Sequence, residues 1–255
     1  MIVLAEERRE DIIKELEKTK VVKALELAKK YDVGVETIRR DFDVLEKQGI
    51  LKKIYGGATL KTDIPSEITY ATRMNTDIDE KNEIAEKAIT LIEENDSIFL
   101  NDSSTNIFLS KLIKKKINSL TVITNSLIIA SELSNCENYN IILAGGFLDT
   151  KEQAFFGPIS EDIISQFIVN KAFLSVSSIS LNNGITDFPL KEVNIQKEMI
   201  KYSKEVIILA NSQKFETTAL IKVSDLKNIK AIITDSKLKT EIYETYKKDN
   251  INIIF

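Results

Sequence analysis

The stretch Val35–Leu60 reads VETIRRDFDVLEKQGILKKIYGGATL, and its rhythm changes once along the way. Val35, Ile38, Phe42 and Leu45 recur at helical spacing and share one face. Gly49 falls just past the last of them, where a left-handed backbone conformation closes a helix. Ile50-Leu51-Lys52-Lys53-Ile54-Tyr55 then reads as a strand, Gly56-Gly57 as a tight turn and Ala58-Thr59-Leu60 as a returning strand. Upstream, Asp32-Val33-Gly34 is a short turn. Before it, Ala24, Leu27, Ala28 and Tyr31 stand at i, i+3, i+4 and i+7 on a second helix. Ile12, Ile13 and Leu16 lie on one side of a first helix that starts near Glu6. Three helices and a hairpin outline a winged helix-turn-helix over residues 1–60.

The charges of this segment are sorted by position rather than by amount. Residues 1–60 hold 13 Lys and Arg against 12 Asp and Glu, a net of +1. Residues 6–17 carry six acids and three bases, whereas Arg39, Arg40, Lys47, Lys52 and Lys53 gather between 39 and 53. With the apolar stripe of the third helix turned inward, Arg40 and Lys47 point away from it, and Thr37 and Arg39 lie on the flanks. Such a helix followed by a Lys-bearing hairpin suits a recognition helix and wing on double-stranded DNA. Arg reads a guanine edge with two hydrogen bonds, and Lys neutralises phosphates.

A connector follows, residues 61–78, with Pro65 and mixed polar residues. Beyond it, short apolar runs alternate with helical stretches. The strand-like runs are Ser97–Leu100, Leu120–Thr124, Asn140–Leu143, Ala172–Val176, Val206–Ala210, Ala231–Thr234 and Ile251–Phe255. Between them, helical spacing occupies 79–93, 105–115, 126–133, 190–203 and 239–248. This alternation predicts an open, mostly parallel α/β sheet over residues 79–255.

Composition removes several function classes. The chain of 255 residues has no His, which excludes imidazole as base, metal ligand or neutral-pH switch. One Cys, Cys136, makes neither an internal disulfide nor a thiolate metal cluster. A net charge of -4 restricts any nucleic-acid contact to a local patch. The first residues are too briefly apolar for a signal peptide, and no apolar run reaches the roughly 18 residues of a membrane span. A cytoplasmic protein needing neither metal nor cofactor is expected.

In an open α/β sheet, ligands sit beyond the carboxyl ends of the strands, where helix N-termini begin. Asn101-Asp102-Ser103-Ser104-Thr105-Asn106 follows the run ending at Leu100, and Thr124-Asn125-Ser126 follows Leu120–Ile123. Gly145-Gly146 follows the run ending at Leu143 and allows close approach to the backbone. Hydroxyls and helix-start amides attract anions. The same residue types also serve as plain helix caps.

Several of these stretches together resemble the DeoR-type bacterial transcription regulators. In the first segment the resemblance is carried by Glu6-Glu7-Arg8-Arg9, Glu26-Leu27-Ala28, Thr37-Ile38-Arg39-Arg40-Asp41, Leu45-Glu46 and Gly49-Ile50-Leu51 with Gly56-Gly57-Ala58. It continues through Ser103–Asn106, Thr124-Asn125-Ser126, Gly145-Gly146, Gly157, Lys171-Ala172-Phe173, Gly184-Ile185-Thr186, Glu192 and Ser212-Gln213-Lys214-Phe215, spanning about 6–235. The resemblance implies a C-terminal domain similar to ribose-5-phosphate isomerase that senses a phosphorylated sugar or similar metabolite. It assigns the effector to Asn101, Ser103, Ser104, Thr105, Asn106, Thr124, Asn125, Ser126, Gly145, Gly146, Glu192 and Lys214. The chain departs from the family at Asn101, often Asp; at Ser103, usually Gly; at Asp149, frequently Arg; at Gln196, frequently Lys; and at Asn211, commonly Asp.

Two functions are open to such a chain. One is a DNA-binding repressor of a carbohydrate-utilisation operon, a homodimer or homotetramer that is released or tightened by a phosphorylated sugar. The other is a sugar-phosphate isomerase-like enzyme with an accessory N-terminal domain, which would draw its base from Asp102, Asp187 or Glu192. With Asn at 101 and 211 and no His, the regulator is the expected reading and no catalytic residue is assigned.

Overall fold

The computed structural model describes residues 5–19, 21–54, 57–60 and 70–255. The chain divides into two compact units, 1–69 and 70–255.

In the first unit, helix α1 (Ala5–Thr19) opens with Glu6 and Glu7, acids where the positive end of a helix dipole favours them. A short strand β1 (Val21–Lys23) leads into α2 (Ala24–Tyr31), and Asp32, in the left-handed region at φ 51°, ends that helix. Helix α3 (Val35–Lys47) follows, and Gly49 at φ +76° closes it as its sequence position predicts. Two bonds complete the stop: Gly49 N–H donates to Glu46 O at 2.9 Å and Ile50 N–H to Leu45 O at 2.9 Å.

The wing is β2 (Leu51–Ile54) paired antiparallel with β3 (Gly57–Leu60), and β3 also pairs with β1, giving the sheet order β1-β3-β2. Gly57, read as part of the turn, is the first residue of β3; residues 55 and 56 lie outside the described residues. Ile12, Leu16, Leu27, Ile38, Phe42, Leu45 and Leu51 are essentially inaccessible and form one core. The helical stripes read from spacing are thus the buried ones. β1 went unread because three residues are too few to show a period.

The second unit begins with α4 (Tyr70–Asn75), inside the stretch read as connector, and α5 (Ile78–Ala88). There follow β4 (Ser97–Leu100), α6 (Ser104–Lys116), β5 (Leu120–Thr124), α7 (Leu127–Leu133) and β6 (Tyr139–Leu143). A hairpin of β7 (Phe147–Asp149) and β8 (Ala154–Phe156) precedes α8 (Pro158–Ser165) and β9 (Val169–Ser175). The remainder is β10 (Ser178–Ser180), β11 (Gly184–Asp187), α9 (Leu190–Lys201), β12 (Ser203–Leu209), β13 (Ile221–Ser224), β14 (Ala231–Ile233), α10 (Thr240–Lys248) and β15 (Ile253–Ile254).

Seven strands form one parallel sheet in the order β15-β14-β12-β9-β4-β5-β6. They are the seven runs that apolar continuity marked, because both faces of the sheet are covered. Ile98, Leu100, Phe173, Ile207 and Leu209 face α5, α6 and α7. The alternate residues Phe99, Ala172, Leu174 and Ile208 face α8, α9 and the small sheet β10-β11-β13. From β4 the chain builds outward through β5 and β6, then returns to place β9 on the other side of β4. The order therefore reverses between β4 and β9, the position where a crevice opens at the carboxyl ends of such a sheet.

Candidate functional site

The exposed side of α3 and the wing hold the basic residues expected to meet DNA. Arg40 and Lys47 are exposed, and the charge of Lys47 lies close enough to Asp43 to favour its ionised form. Thr37 is half-buried on the same helix. Arg39 rests on Glu36 at 3.3 Å. Lys53, in β2, is held by acids of α3: its Nζ lies 2.5 Å from Asp43 Oδ1 and 3.4 Å from Glu46 Oε2, and its N–H donates to Glu46 Oε1. These pairs hold Lys53 more firmly protonated and Asp43 more firmly ionised than usual. The side chain of Lys52 lies outside the described residues. The orientation of α3 is set by a charge that spacing did not reveal: Asp41, buried, accepts from Arg8 Nε at 2.6 Å, and Arg9 Nε approaches it at 3.3 Å.

At the carboxyl edge of the large sheet, the β4 and β9 ends are stitched together by two asparagines. Asn101 Nδ2 donates to Ser175 O at 2.9 Å, and Ser175 N–H returns a bond to Asn101 Oδ1 at 3.0 Å. Asn106 Nδ2 donates to Asn101 Oδ1 and Phe173 O, both at 2.8 Å. Both amides thus spend their donors on the fold. Ser103 caps α6 by accepting from Asn106 N–H at 3.0 Å, and Ser126 caps α7 by accepting from Ile129 N–H at 3.3 Å. Thr124 Oγ1 accepts from Ser126 N–H. Ser104 and Thr105, buried, occupy the first turn of α6, whose opening amides have no carbonyl four residues earlier to bond.

The glycine pair divides in role. An added Cβ at Gly145 would meet nothing within 4 Å, whereas at Gly146, with φ +153°, it would fall 2.4 Å from Ser160 Oγ and 2.9 Å from Phe156 O. The close approach seen at Gly146 is by Ser160 of α8 and Phe156 of β8.

Around this edge the structure gathers ionisable side chains from distant segments. Lys214, in the turn after β12, reaches Ser175 Oγ at 3.4 Å, and burial lowers its ammonium to about 8 although the charge of Asp187 opposes this. Asn125, fully buried, donates from Nδ2 to Asp102 Oδ1 at 2.9 Å. Burial pushes Asp102 up to about 7 against that bond, and burial with the nearby charges of Asp102 and Asp187 raises Glu192 well above the usual carboxylate range. Asp187 is fully employed, accepting from Ser177 N–H at 3.1 Å, Ser177 Oγ, Phe188 N–H at 2.7 Å and Gln196 Nε2 at 2.7 Å.

Spacing missed the residues that arrive from outside the strand-to-helix turns. Arg73 on α4 pairs with Glu152 on the β7–β8 turn, and Asp77 accepts from Asn211 Nδ2 at 3.0 Å. Nothing in a local motif marks these partners, which lie 79 and 134 residues apart. Among the described residues no group of three or more His, Cys, Asp or Glu is arranged to hold a metal ion. No helix among them is long and apolar enough to cross a membrane.

Comparison with known proteins accounts for both units. The profile of the DeoR-like helix-turn-helix domain matches residues 8–63, and that of the DeoR C terminal sensor domain matches residues 76–236. The HTH-type transcriptional regulator YulB of Bacillus subtilis (strain 168) is 35% identical, with 92% of this chain and 91% of that protein covered. The L-fucose operon activator of Haemophilus influenzae is 33% identical over 89% of this chain and 90% of its own length. The glycerol-3-phosphate regulon repressor of Escherichia coli (strain K12) is 26% identical over 97% of each. Among solved structures, ribose 5-phosphate isomerase A from Methanocaldococcus jannaschii is 14% identical over 55% of each chain at a TM-score of 0.42. With both of its domain profiles matched in order along one chain, the protein belongs to the DeoR family, as a DNA-binding transcriptional regulator and not an enzyme.

Proposed function

We propose that this regulator represses a carbohydrate-utilisation operon in the cytoplasm and that a phosphorylated sugar, bound at the β4–β9 edge, sets its affinity for operator DNA. The observation that carries the ligand class is Lys214, a cation with a single long hydrogen bond, beside the opening turn of α6. Helix-start amides and one ammonium suit a phosphate. The names of the relatives from Haemophilus influenzae and Escherichia coli support a sugar or sugar-phosphate setting.

Thr37, Arg39 and Arg40 would read bases, and Lys47, Lys52 and Lys53 would neutralise phosphates. One winged helix covers a small footprint, so a homodimer or homotetramer is required to span two half-sites. The effector acts only through different affinities for two arrangements of the assembly.

The test is fluorescence anisotropy on labelled DNA from upstream of the protein's own gene, against a scrambled duplex at fixed salt, with sugar phosphates titrated into the complex. Specific binding that one sugar phosphate weakens supports the reading. Specific binding tightened by it makes the protein an effector-assisted binder, and specific binding indifferent to every sugar phosphate removes the effector.

A further inference from the structure

Helix α4 starts at Tyr70, the first residue of the second unit, and its cation Arg73 reaches Glu152 on the turn of the β7–β8 hairpin. The guanidinium forks onto Glu152, with Nη1 at 3.4 Å from Oε1 and Nη2 in closer contact with Oε2. Only 28% of the Arg73 side chain and 11% of the Glu152 side chain are exposed. Glu152 is itself held in position by Asp149, whose Oδ1 accepts from the N–H groups of Lys151 at 2.8 Å and Glu152 at 3.2 Å. The chain just beyond Arg73 is fastened to the same site. Lys81 Nζ donates to the carbonyls of Arg73 and Thr76, and Asp77 binds Asn211, which opens the turn carrying Lys214.

Arg73 therefore lies within electrostatic reach of the pocket acids and of Lys214. Burial works against its charge, while Glu152, Glu192 and Asp102 outweigh that and hold it protonated. The charges of Arg73 and Lys214 disfavour each other. An oxyanion between them relieves that repulsion, and a guanidinium fork matches a phosphate as well as it matches a carboxylate.

We infer that Arg73 is a ligand-binding residue of this pocket, for which an incoming phosphate competes with Glu152, so that the helix following the DNA-binding unit registers occupancy. The inference rests on the pocket being an oxyanion site. The exchange of Glu152 for ligand supplies the difference in affinity between two positions of α4 without which no ligand could move it. Glu152 is then a restraint that the ligand must displace, and its removal sharpens binding.

The experiment uses the full chain and its R73Q, E152Q and double variants. Each is titrated calorimetrically with inorganic phosphate and with hexose, ketose and pentose phosphates. Amide hydrogen exchange over 70–81 is followed with and without the best-binding anion at saturation. E152Q is expected to bind that anion about tenfold more tightly than the parent, R73Q about tenfold more weakly, and the double variant no better than R73Q, as for a charged hydrogen-bonding group. Ligand changes exchange over 70–81 in the parent and not in R73Q. Equal affinity of R73Q and parent, or an equal exchange response, overturns the role of Arg73 and leaves the pocket standing. No binding of any anion by all four proteins removes the pocket reading together with this inference. Should R73Q fail to fold, R73K keeps the charge without the fork, and affinity equal to the parent's overturns the inference in the same way.

Discussion

Arg8 on α1 and Asp41 on α3 face each other inside the winged helix, Nε to Oδ2 at 2.6 Å, with 7% and 6% of their side chains exposed. Neighbouring Arg40 and Arg39 point outward from the same turn of α3. One helix thus carries a buried structural carboxylate and, exposed to solvent, the arginines proposed to read DNA. Asp41→Ala removes the buried carboxylate that Arg8 and Arg9 share and should lower the stability of the first unit by about 3 kcal/mol. Chemical unfolding of the full chain, followed for that unit's transition, checks this; a loss below 1 kcal/mol would mean that Arg8 finds water or another acid.

Arg40 carries no such duty. Arg40→Ala should leave the unfolding transition where it is while weakening specific operator binding by about 1–3 kcal/mol and relaxing preference at one base pair. Competition with a panel of singly substituted duplexes reads this directly, and unchanged selectivity would remove Arg40 from the base-reading set.

Lys53 is held by Asp43 and Glu46, so the phosphate contact proposed for it would compete with an intramolecular pair. Lys53→Ala should therefore weaken all duplexes nearly equally and reduce the salt slope by about 1. Asp43→Asn frees the ammonium and should strengthen binding to any duplex. Binding isotherms at several salt concentrations check both; weakening by Asp43→Asn would show that Asp43 positions the wing for DNA rather than restraining it.

Lys214→Ala should abolish the effector response and leave operator binding intact. The pH dependence carries a definite sign. Burial lowers the Lys214 ammonium to about 8, so the cation that attracts an oxyanion is present below that pH and lost as pH rises through it. Asp102, pushed by burial to about 7, adds negative charge as pH rises and works in the same direction. Effector affinity should fall steadily above pH 7, with net proton uptake on binding near pH 8. Calorimetry in buffers of different ionisation enthalpy measures that uptake; proton release would contradict Lys214 as the receptor.

Much of this molecule is legible in one dimension. The stripe Ile38, Phe42 and Leu45, the glycine stop at Gly49 and the apolar runs of the sheet are each recorded within a few residues, because a helix or strand buries a face whose period the sequence repeats. The loops after β4 and β5 were recognisable for the same reason, as hydroxyl and amide residues at helix starts. What those residues do there was not legible. Asn101 and Asn106 have the composition of a ligand loop, yet their amides tie β4 to β9, a pairing that depends on a strand some 70 residues away.

The sequence by itself determined the winged-helix pattern, the seven runs of the large sheet and the family, since each rests on periodicity and short motifs. Tertiary structure decided which residues meet. It put β9 as well as β5 beside β4, paired Arg8 with Asp41 and brought Arg73 to Glu152 and Asp77 to Asn211. Buried charges and amides choose partners by distance in space, at sequence separations from 33 to 134 residues, and no local period encodes such a distance.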